Sequence, residues 1–391
     1  MDQTAVKKKC KAVLFCTSPL QIINTQSALE KRTTLDGVER ALSVVIIHPL
    51  LGPESKKYIE SIGARLGCSQ VLDFASCHQD MLTDQGDVSR REFRQREGFR
   101  HRVQWLMERY SQHQSQLSDR LELELGEVNE VYVRVKVGAL ERFFLGAVYG
   151  QVNWFGIEDG IGDYIPRSWP YSNLNLYEIR HRLRRTCILG AKCVLSTLLT
   201  GNWVRWREIY DLGQSKPGQV FSILPRRGAI STSQEFLLNI QSLDSQRSVL
   251  PKPSIVIFGT LLPGRYSDFS TQAEVDFYNQ KIRLLMRKYN VSAEKIWYKH
   301  HPRLSRNDWE YKKNNLLCSV FDYDWTDVAE VEFLRPDLKA VYSVGSTSLL
   351  YARPLFNVPS FFWDLSNRKD VHPSVYKKYK YVASKYCIPT A

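Results

Sequence analysis

Short apolar runs alternate along the first half of the chain with segments whose apolar residues recur at helical spacing. The apolar runs predict strands at about 12–16, 42–47, 71–74, 131–137 and 152–157. The helical patterns predict helices up to about residue 31, at about 54–66 and 91–117, and from about residue 140. Strands that alternate with helices are typical of a parallel, doubly wound sheet.

The same alternation returns after residue 253, with strands predicted at 254–258, 295–299, 317–321 and 340–343 and a helix at 271–289. Between 211 and 253 the periodicity fades, and Gly, Ser, Pro and Gln become frequent. We interpret this segment as an interdomain connection. The sequence therefore predicts an α/β protein of two Rossmann-like domains, 1–225 and 226–391, facing a cleft at the carboxyl ends of both sheets.

The composition, 43% hydrophobic and 24% charged, is that of a soluble globular protein and excludes a disordered chain. The formal net charge of +13 indicates an anionic partner. The eight cysteines show no CxxC pair, which favours reduced thiols and a cytoplasmic location. The apolar run near the amino terminus is too short for a signal peptide.

Residues 180–206 combine a basic start, "RHRLRR", with a largely apolar continuation that Lys192 interrupts. The run falls short of the about twenty apolar residues that a spanning helix needs. Two interpretations stay open: attachment to the inner face of a membrane, or a core helix whose basic first turn is solvated.

The stretch "IEDGIGDY" places Glu158 and Asp159 directly after a predicted strand and before Gly160. Asp-Gly is a common turn dipeptide, so a surface turn is one interpretation. The other is a pair of functional carboxylates at the edge of the cleft, where Gly160 frees the backbone.

His301 belongs to one of three His-Pro dipeptides, the others being at 48–49 and 372–373. Each could be a simple turn at a strand end. His301 differs because it follows a predicted strand and stands between Lys299 and Arg303, a cationic setting that suits a phosphate. Further on, Ser346 and Thr347 open a helical run, where hydroxyls and free backbone N–H groups form an anion site or an ordinary N-cap.

These motifs together resemble bacterial sialyltransferases, including the lipooligosaccharide sialyltransferases and polysialyltransferases. That group has an Asp/Glu-Asp/Glu-Gly, a His-Pro and a Ser-Ser/Thr motif in this order, matched here by Glu158-Asp159-Gly160, His301-Pro302 and Ser346-Thr347. The early segment "FCTSPLQIINTQSAL" is similar to the opening of the lipooligosaccharide enzymes. The segment "DVAEVEFLRPDL" resembles the one whose glutamate binds the cytidine ribose, and Glu330 is the matching position.

The resemblance implies a GT-B type fold and an inverting, metal-independent transfer of sialic acid, or a related nonulosonic acid, from a CMP-activated donor. No cofactor is expected besides this co-substrate. The acceptor would be a sugar hydroxyl of a cell-surface glycan or glycolipid, as in lipopolysaccharide or capsule biosynthesis. The first domain would bind the acceptor and hold the base, and the second would bind the donor.

Each candidate residue has an expected role in this chemistry. We expect Asp159 to be the general base, with Glu158 holding the loop or accepting from a sugar hydroxyl; in relatives either acidic position is assigned as base. His301 would stabilise the leaving phosphate. The residues expected to contact the CMP donor are Lys299, Gly259, Thr260, Glu330, Ser346 and Thr347.

Three competing interpretations were weighed. Asp322-Tyr323-Asp324 is a DxD of the kind that binds a metal–nucleotide, but it comes late in the chain, and we expect no metal. The donor could instead be CMP-Kdo or a UDP-sugar. The excess of basic residues could also be that of a non-enzymatic polyanion-binding protein. The basic residues are dispersed, however, and the sequence has no aromatic motif of the kind that stacks on nucleic-acid bases.

Overall fold

The structure is a computed structural model that describes residues 10–47, 51, 53–73, 128–135, 153–158, 160, 164, 217–245, 253–260, 270–302, 304–323, 328–365 and 373–390. The chain divides into two compact units. The first comprises Met1–Leu51, Gly67–Glu158 and Leu174–Thr232, and the second comprises Gly52–Leu66, Asp159–Asn173 and Ser233–Ala391.

The first unit is built on a parallel sheet with the strand order β3-β2-β1-β4-β5-β6-β7. Its described elements are β1 (Cys10–Cys16), α1 (Pro19–Asp36), β2 (Arg40–Ile47), β3 (Gln70–Asp73), β4 (Glu130–Arg134), β5 (Asn153–Ile157), β6 (Val220–Ser222) and β7 (Ile230–Ser231). The chain order reverses between β1 and β4, which is the topological switch point of this sheet.

The central strand and the first helix show why these residues fold as they do. The apolar run from Ala12 to Cys16 is buried, as expected for a parallel strand covered on both faces. Helix α1 begins at Pro19, where a missing N–H costs little. It ends at Gly37, whose φ of 71° lets its N–H reach the carbonyl oxygen of Thr33.

The second unit contains a parallel sheet with the order β10-β9-β8-β11-β12-β13. Its described elements are α2 (Pro53–Arg65), α3 (Ser233–Ser245), β8 (Ile255–Phe258), α4 (Thr271–Tyr289), β9 (Ile296–Lys299), α5 (Arg306–Asn315), β10 (Ser319–Val320), β11 (Ala340–Ser343), α6 (Leu349–Phe356), β12 (Ser360–Trp363), α7 (Pro373–Tyr386) and β13 (Ile388–Thr390), with 3-10 turns at Ala293–Lys295 and Ala329–Leu334. Its switch point lies between β8 and β11.

A buried polar network supports β9 from the helices beside it. Glu274 of α4 and Lys312 of α5 form an ion pair of 2.8 Å with almost no exposed surface. The ammonium of Lys312 also donates to the phenol oxygen of Tyr298 at 3.2 Å. Losing one partner of such a pair typically costs about 3–5 kcal/mol because the other charge stays buried. The network therefore fixes the side chain of Tyr298, the last residue but one of β9.

The predicted class of two Rossmann-like α/β domains is confirmed by these two parallel sheets. The interpretation of 211–253 as an aperiodic connection is wrong in detail, because its described part holds β6, β7 and α3. The helices predicted at 91–117 and from residue 140, and the segment 180–206, lie outside the described residues. No helix within the described ranges is long and apolar enough to cross a membrane.

Candidate functional site

The switch point of the second sheet brings two loops together at its carboxyl edge. Strands β8 and β11 are paired there, with Phe258 opposite Ser343. Gly259 and Thr260 follow β8, and the segment from 344 to 347 follows β11. A β-carbon built on Gly345 would lie 3.5 Å from the methyl carbon of Thr260, so the two loops lie close together. Ligands of open α/β sheets bind at such a crevice.

The hydroxyl of Ser343 organises the loop after β11. It donates to the carbonyl oxygen of Phe258 at 2.8 Å and accepts from the N–H groups of Gly345 at 3.2 Å and Ser346 at 3.0 Å. The prediction of free backbone N–H groups in this loop is therefore wrong for these two residues. The half-buried side chains of Ser346 and Thr347 supply the hydroxyls of the loop.

Gly259 is a glycine for a packing reason. A β-carbon at this position would collide with the phenol oxygen of Tyr298 and lie 3.2 Å from the carbonyl oxygen of Lys299. The Gly259 N–H also donates to that carbonyl at 2.8 Å. Any side chain here would push β8 away from β9. Thr260, beside it, is buried.

Glu330 and Lys299 place opposite charges in the interior near the same edge. Both side chains are buried. Burial raises the pKa of the Glu330 carboxyl above its ordinary value. A hydrogen bond with Ser348 and the positive charge of Lys299 lower this pKa, but their effect is smaller. The ammonium of Lys299 lies 5.6 Å from the ring centre of Phe321 and 5.9 Å from that of Tyr58. Held near the faces of these two rings, the Lys299 ammonium places a positive charge at the end of β9.

Two consecutive histidines follow β9 and have different environments. His300 is buried and stacks on Tyr323 at 5.6 Å between ring centres. Burial, and then the charges of Lys299, His301 and Lys312, lowers the pKa of His300 to about 3. His300 is therefore neutral at physiological pH. His301 is half-buried and its carbonyl oxygen accepts from the N–H of Leu304 at 2.9 Å, which forms the tight turn after the strand.

Glu158 directly follows β5 in the first unit, and its side chain is buried and hydrogen-bonded. Its Oε2 accepts from the N–H of Ile223 at 2.9 Å, and its carbonyl oxygen accepts from Nδ2 of Asn24 at 3.0 Å. These bonds fix the backbone at the point where the acidic motif begins. Asp159 lies outside the described residues, as do Arg303 and the histidines at 48 and 372.

Gly160, the third residue of the acidic motif, belongs to the second unit. Its φ of +128° suits glycine, and a β-carbon there would lie 3.0 Å from Oγ1 of Thr347. This is a contact inside the second unit, and it brings the glycine of the first motif beside the hydroxyl of the third. Nothing in the spacing of the two motifs indicated this contact.

The carboxyl edge of the second sheet thus carries six predicted site residues: Gly259, Thr260, Lys299, His301, Ser346 and Thr347. Glu330 is joined to them through Ser348. The sequence did not predict roles for Ser343, His300 and Asn24. The feature that could have indicated them is a polar residue within or directly after an apolar run.

No group of three or more potential ligands that could hold a metal ion occurs in the part of the chain that the structure describes. Of the DxD motif, Asp322 is exposed and Tyr323 is buried. Asp324 is outside the described residues. The structure therefore does not test the expectation that the protein needs no metal.

Several solved structures are similar to the chain at low identity. A sialyltransferase from Photobacterium damsela is 12% identical, with a TM-score of 0.43 over 98% of this chain and 82% of that chain. UDP-GlcNAc 2-epimerase from Neisseria meningitidis is 12% identical, with a TM-score of 0.45 over 90% and 82%. E. coli ADP-heptose LPS heptosyltransferase II is 11% identical, with a TM-score of 0.40 over 94% and 88%. At these values the likenesses carry no functional information.

Sequence comparison with whole protein families is more informative. No curated protein sequence matches the chain. The family model described as alpha-2,8-polysialyltransferase (POLYST) matches residues 95–364, which is more than half of the chain and includes the acidic, His-Pro and Ser-Thr motifs. The chain therefore belongs to the alpha-2,8-polysialyltransferase family and is a glycosyltransferase of the sialyltransferase kind.

Proposed function

We propose that this sialyltransferase takes sialic acid, or a related nonulosonic acid, from a CMP-activated donor and transfers it with inversion to a hydroxyl of a cell-surface glycan. The observation that carries the donor assignment is the hydroxyl loop at the switch point of the second sheet. Ser346 and Thr347 follow β11, and the positive charge of Lys299 lies at the end of β9, one strand beyond β8. A phosphate at this edge would meet hydroxyl donors and a positive field together.

The proposed reaction needs a base and a stabilised leaving group. The acceptor hydroxyl attacks the anomeric carbon of the sialyl group while Asp159 takes its proton. The bond from that carbon to the phosphate oxygen breaks on the opposite face, which inverts the configuration. The departing CMP keeps the electron pair, and the charge that develops on its phosphate is stabilised by His301, Ser346 and Thr347.

Glu330 and Glu158 have supporting roles in this proposal. Glu330 would accept hydrogen bonds from the ribose hydroxyls of the donor. Its hydrogen bond with Ser348, the residue after Thr347, would link the ribose contact to the phosphate loop. Glu158 would hold the backbone before Asp159 through its bond to Ile223. No metal takes part, because protein groups stabilise the phosphate.

The surroundings of the enzyme are part of the proposal. A net charge of +13 suits an anionic donor and a negatively charged glycan product. We place the reaction in the cytoplasm, where CMP would be released, with residues 180–206 as the candidate contact with the inner face of the membrane. A core role for that segment is the alternative. Flotation of the purified protein with anionic vesicles, against neutral vesicles as a control, separates the two.

Calorimetric titration with three ligands tests the donor assignment. We expect saturable binding of CMP with a clear preference over UDP. A short single-stranded oligonucleotide should bind only weakly and lose its affinity steeply as salt is raised. Preference for UDP would indicate a UDP-sugar donor, and tight oligonucleotide binding without CMP binding would indicate a polyanion-binding protein.

A further inference from the structure

Ser343 is a polar side chain with no exposed surface at the end of a buried strand. A serine hydroxyl offers one donor and two acceptor sites. Here the donor reaches Phe258, and both acceptor sites are filled by the N–H groups of Gly345 and Ser346. The hydroxyl therefore has no capacity left for a ligand, and its action on the site must pass through the backbone.

The three bonds link two loops that leave the sheet at its switch point. Phe258 is the last residue of β8, and the two N–H groups belong to the loop that carries Ser346 and Thr347. Chains on either side of a switch point turn in opposite directions. The bridge adds a side-chain connection beyond the last ladder pair of β8 and β11, which joins Phe258 and Ser343.

From this geometry we infer that Ser343 is a positioning residue for donor binding, which rests on the proposed function. Its hydroxyl fixes the direction of the Ser346 and Thr347 side chains by holding the backbone before them. Because the N–H groups of Gly345 and Ser346 already bind Ser343, these two amides are not available to the donor phosphate, and the side-chain hydroxyls of Ser346 and Thr347 become the expected contacts.

The test compares Ser343→Ala with Ser360→Ala. Ser360 is the matched control because it is also a fully buried serine of the same sheet, whose hydroxyl makes a long bond of 3.5 Å to the carbonyl oxygen of Tyr386 and a hydrogen bond with the thiol of Cys387. CMP affinity is measured by calorimetry, the KM for the donor and kcat are measured separately, and thermal unfolding reports the stability of each variant. Ser343→Cys, which is close in volume but hydrogen-bonds weakly, is a second variant if Ser343→Ala does not fold.

We expect Ser343→Ala to weaken CMP binding and to raise the donor KM by about tenfold, since several backbone groups lose their partner. The acceptor KM should not change, and Ser343→Cys should shift the donor KM in the same direction. Ser360→Ala should leave CMP affinity unchanged. Equal CMP affinity in wild type and Ser343→Ala, or in Ser343→Cys where only that variant folds, would overturn the inference. Failure of the wild type itself to bind CMP would instead overturn the proposed function.

Discussion

The carboxylate of Glu158 accepts a hydrogen bond of 2.9 Å from the backbone N–H of Ile223, the residue that follows β6. Glu158 is buried, and Asn24 holds its carbonyl group from helix α1. A carboxylate that ties two strand ends together in the interior is badly placed to take a proton from a sugar. The bond therefore favours Asp159 as the general base and gives Glu158 the task of fixing the backbone before it.

Substitution of the two acidic residues should separate these roles. We expect Asp159→Asn to remove nearly all transfer activity while CMP affinity stays intact, because loss of a general base typically costs about a hundredfold or more. Glu158→Gln keeps an acceptor for the Ile223 N–H and should lose less rate. Steady-state kinetics with CMP calorimetry checks both variants. The reverse ranking would make Glu158 the base, and mild losses in both variants would show that neither carboxylate takes part in the reaction.

His301 should be required for turnover, whereas His372, a histidine in another His-Pro dipeptide, should not. His301→Ala removes the group proposed to stabilise the leaving phosphate and should lower kcat by about two orders of magnitude. His372→Ala is the matched control, with activity near that of the wild type. If His372→Ala were the damaging change and His301→Ala mild, the assignment would be wrong.

His300 should make the stability of the second unit depend on pH. Its folded pKa of about 3 lies below the ordinary 6.5, so the unfolded chain binds a proton at higher pH than the folded chain does. The contribution of the neutral His300 to the free energy of unfolding is complete above pH 6.5 and is lost as the pH falls toward 3. Between pH 7 and pH 5 the free energy of unfolding should therefore fall by about 2 kcal/mol.

Urea unfolding at several pH values measures this effect. His300→Phe keeps a ring against Tyr323 and removes the titrating group, so its stability should fall less between pH 7 and pH 5 than that of the wild type. A control variant, Ser360→Ala, should keep the wild-type slope because it leaves His300 and the charged groups that shift its pKa in place. The same slope in wild type and His300→Phe would contradict the assignment of a buried neutral imidazole.

The two hydroxyls of the switch-point loop should bind the donor phosphate. Ser346→Ala combined with Thr347→Val should weaken CMP binding, at about 1.5–3 kcal/mol for each hydroxyl that bonds a charged phosphate. The fold should persist, because both side chains are half-buried and Ser343 still holds the backbone. Calorimetry and circular dichroism of the double variant check this. Unchanged CMP affinity would remove both hydroxyls from the donor site.

Strands β1 to β5 and β8 to β11 were predictable because most of their apolar runs are buried and stand out from the helices between them, whereas β6, β7, β12 and β13 were not predicted. The run 340–343 is an example, and it coincides with β11. Helix α3 was missed because Ser, Gln and Asn interrupt its apolar positions and Leu238 is exposed. Local composition therefore indicated a connection where packing in the second unit produces a helix.

The candidate site was predictable in its residue types but not in its contacts. His300 and His301 are adjacent, and the side chains of neighbouring residues in an extended chain point to opposite sides. The sequence therefore did not show which of the two histidines would be buried. The bond from Ile223 to Glu158 joins residues 65 positions apart. The role of Ser343 depends on the pairing of β8 with β11, which only the fold supplies.

The most direct test of the account is a transfer assay with purified protein, CMP-sialic acid and a panel of galactoside and sialylated acceptors in excess EDTA. We predict a sialylated product and CMP in equal amounts, at a rate that EDTA does not reduce and that Asp159→Asn abolishes. If EDTA abolished the transfer activity and manganese restored it, Asp322 and Asp324 would instead become the expected metal ligands. No product from CMP-sialic acid with any acceptor, while a UDP-sugar is turned over, would contradict the central claim.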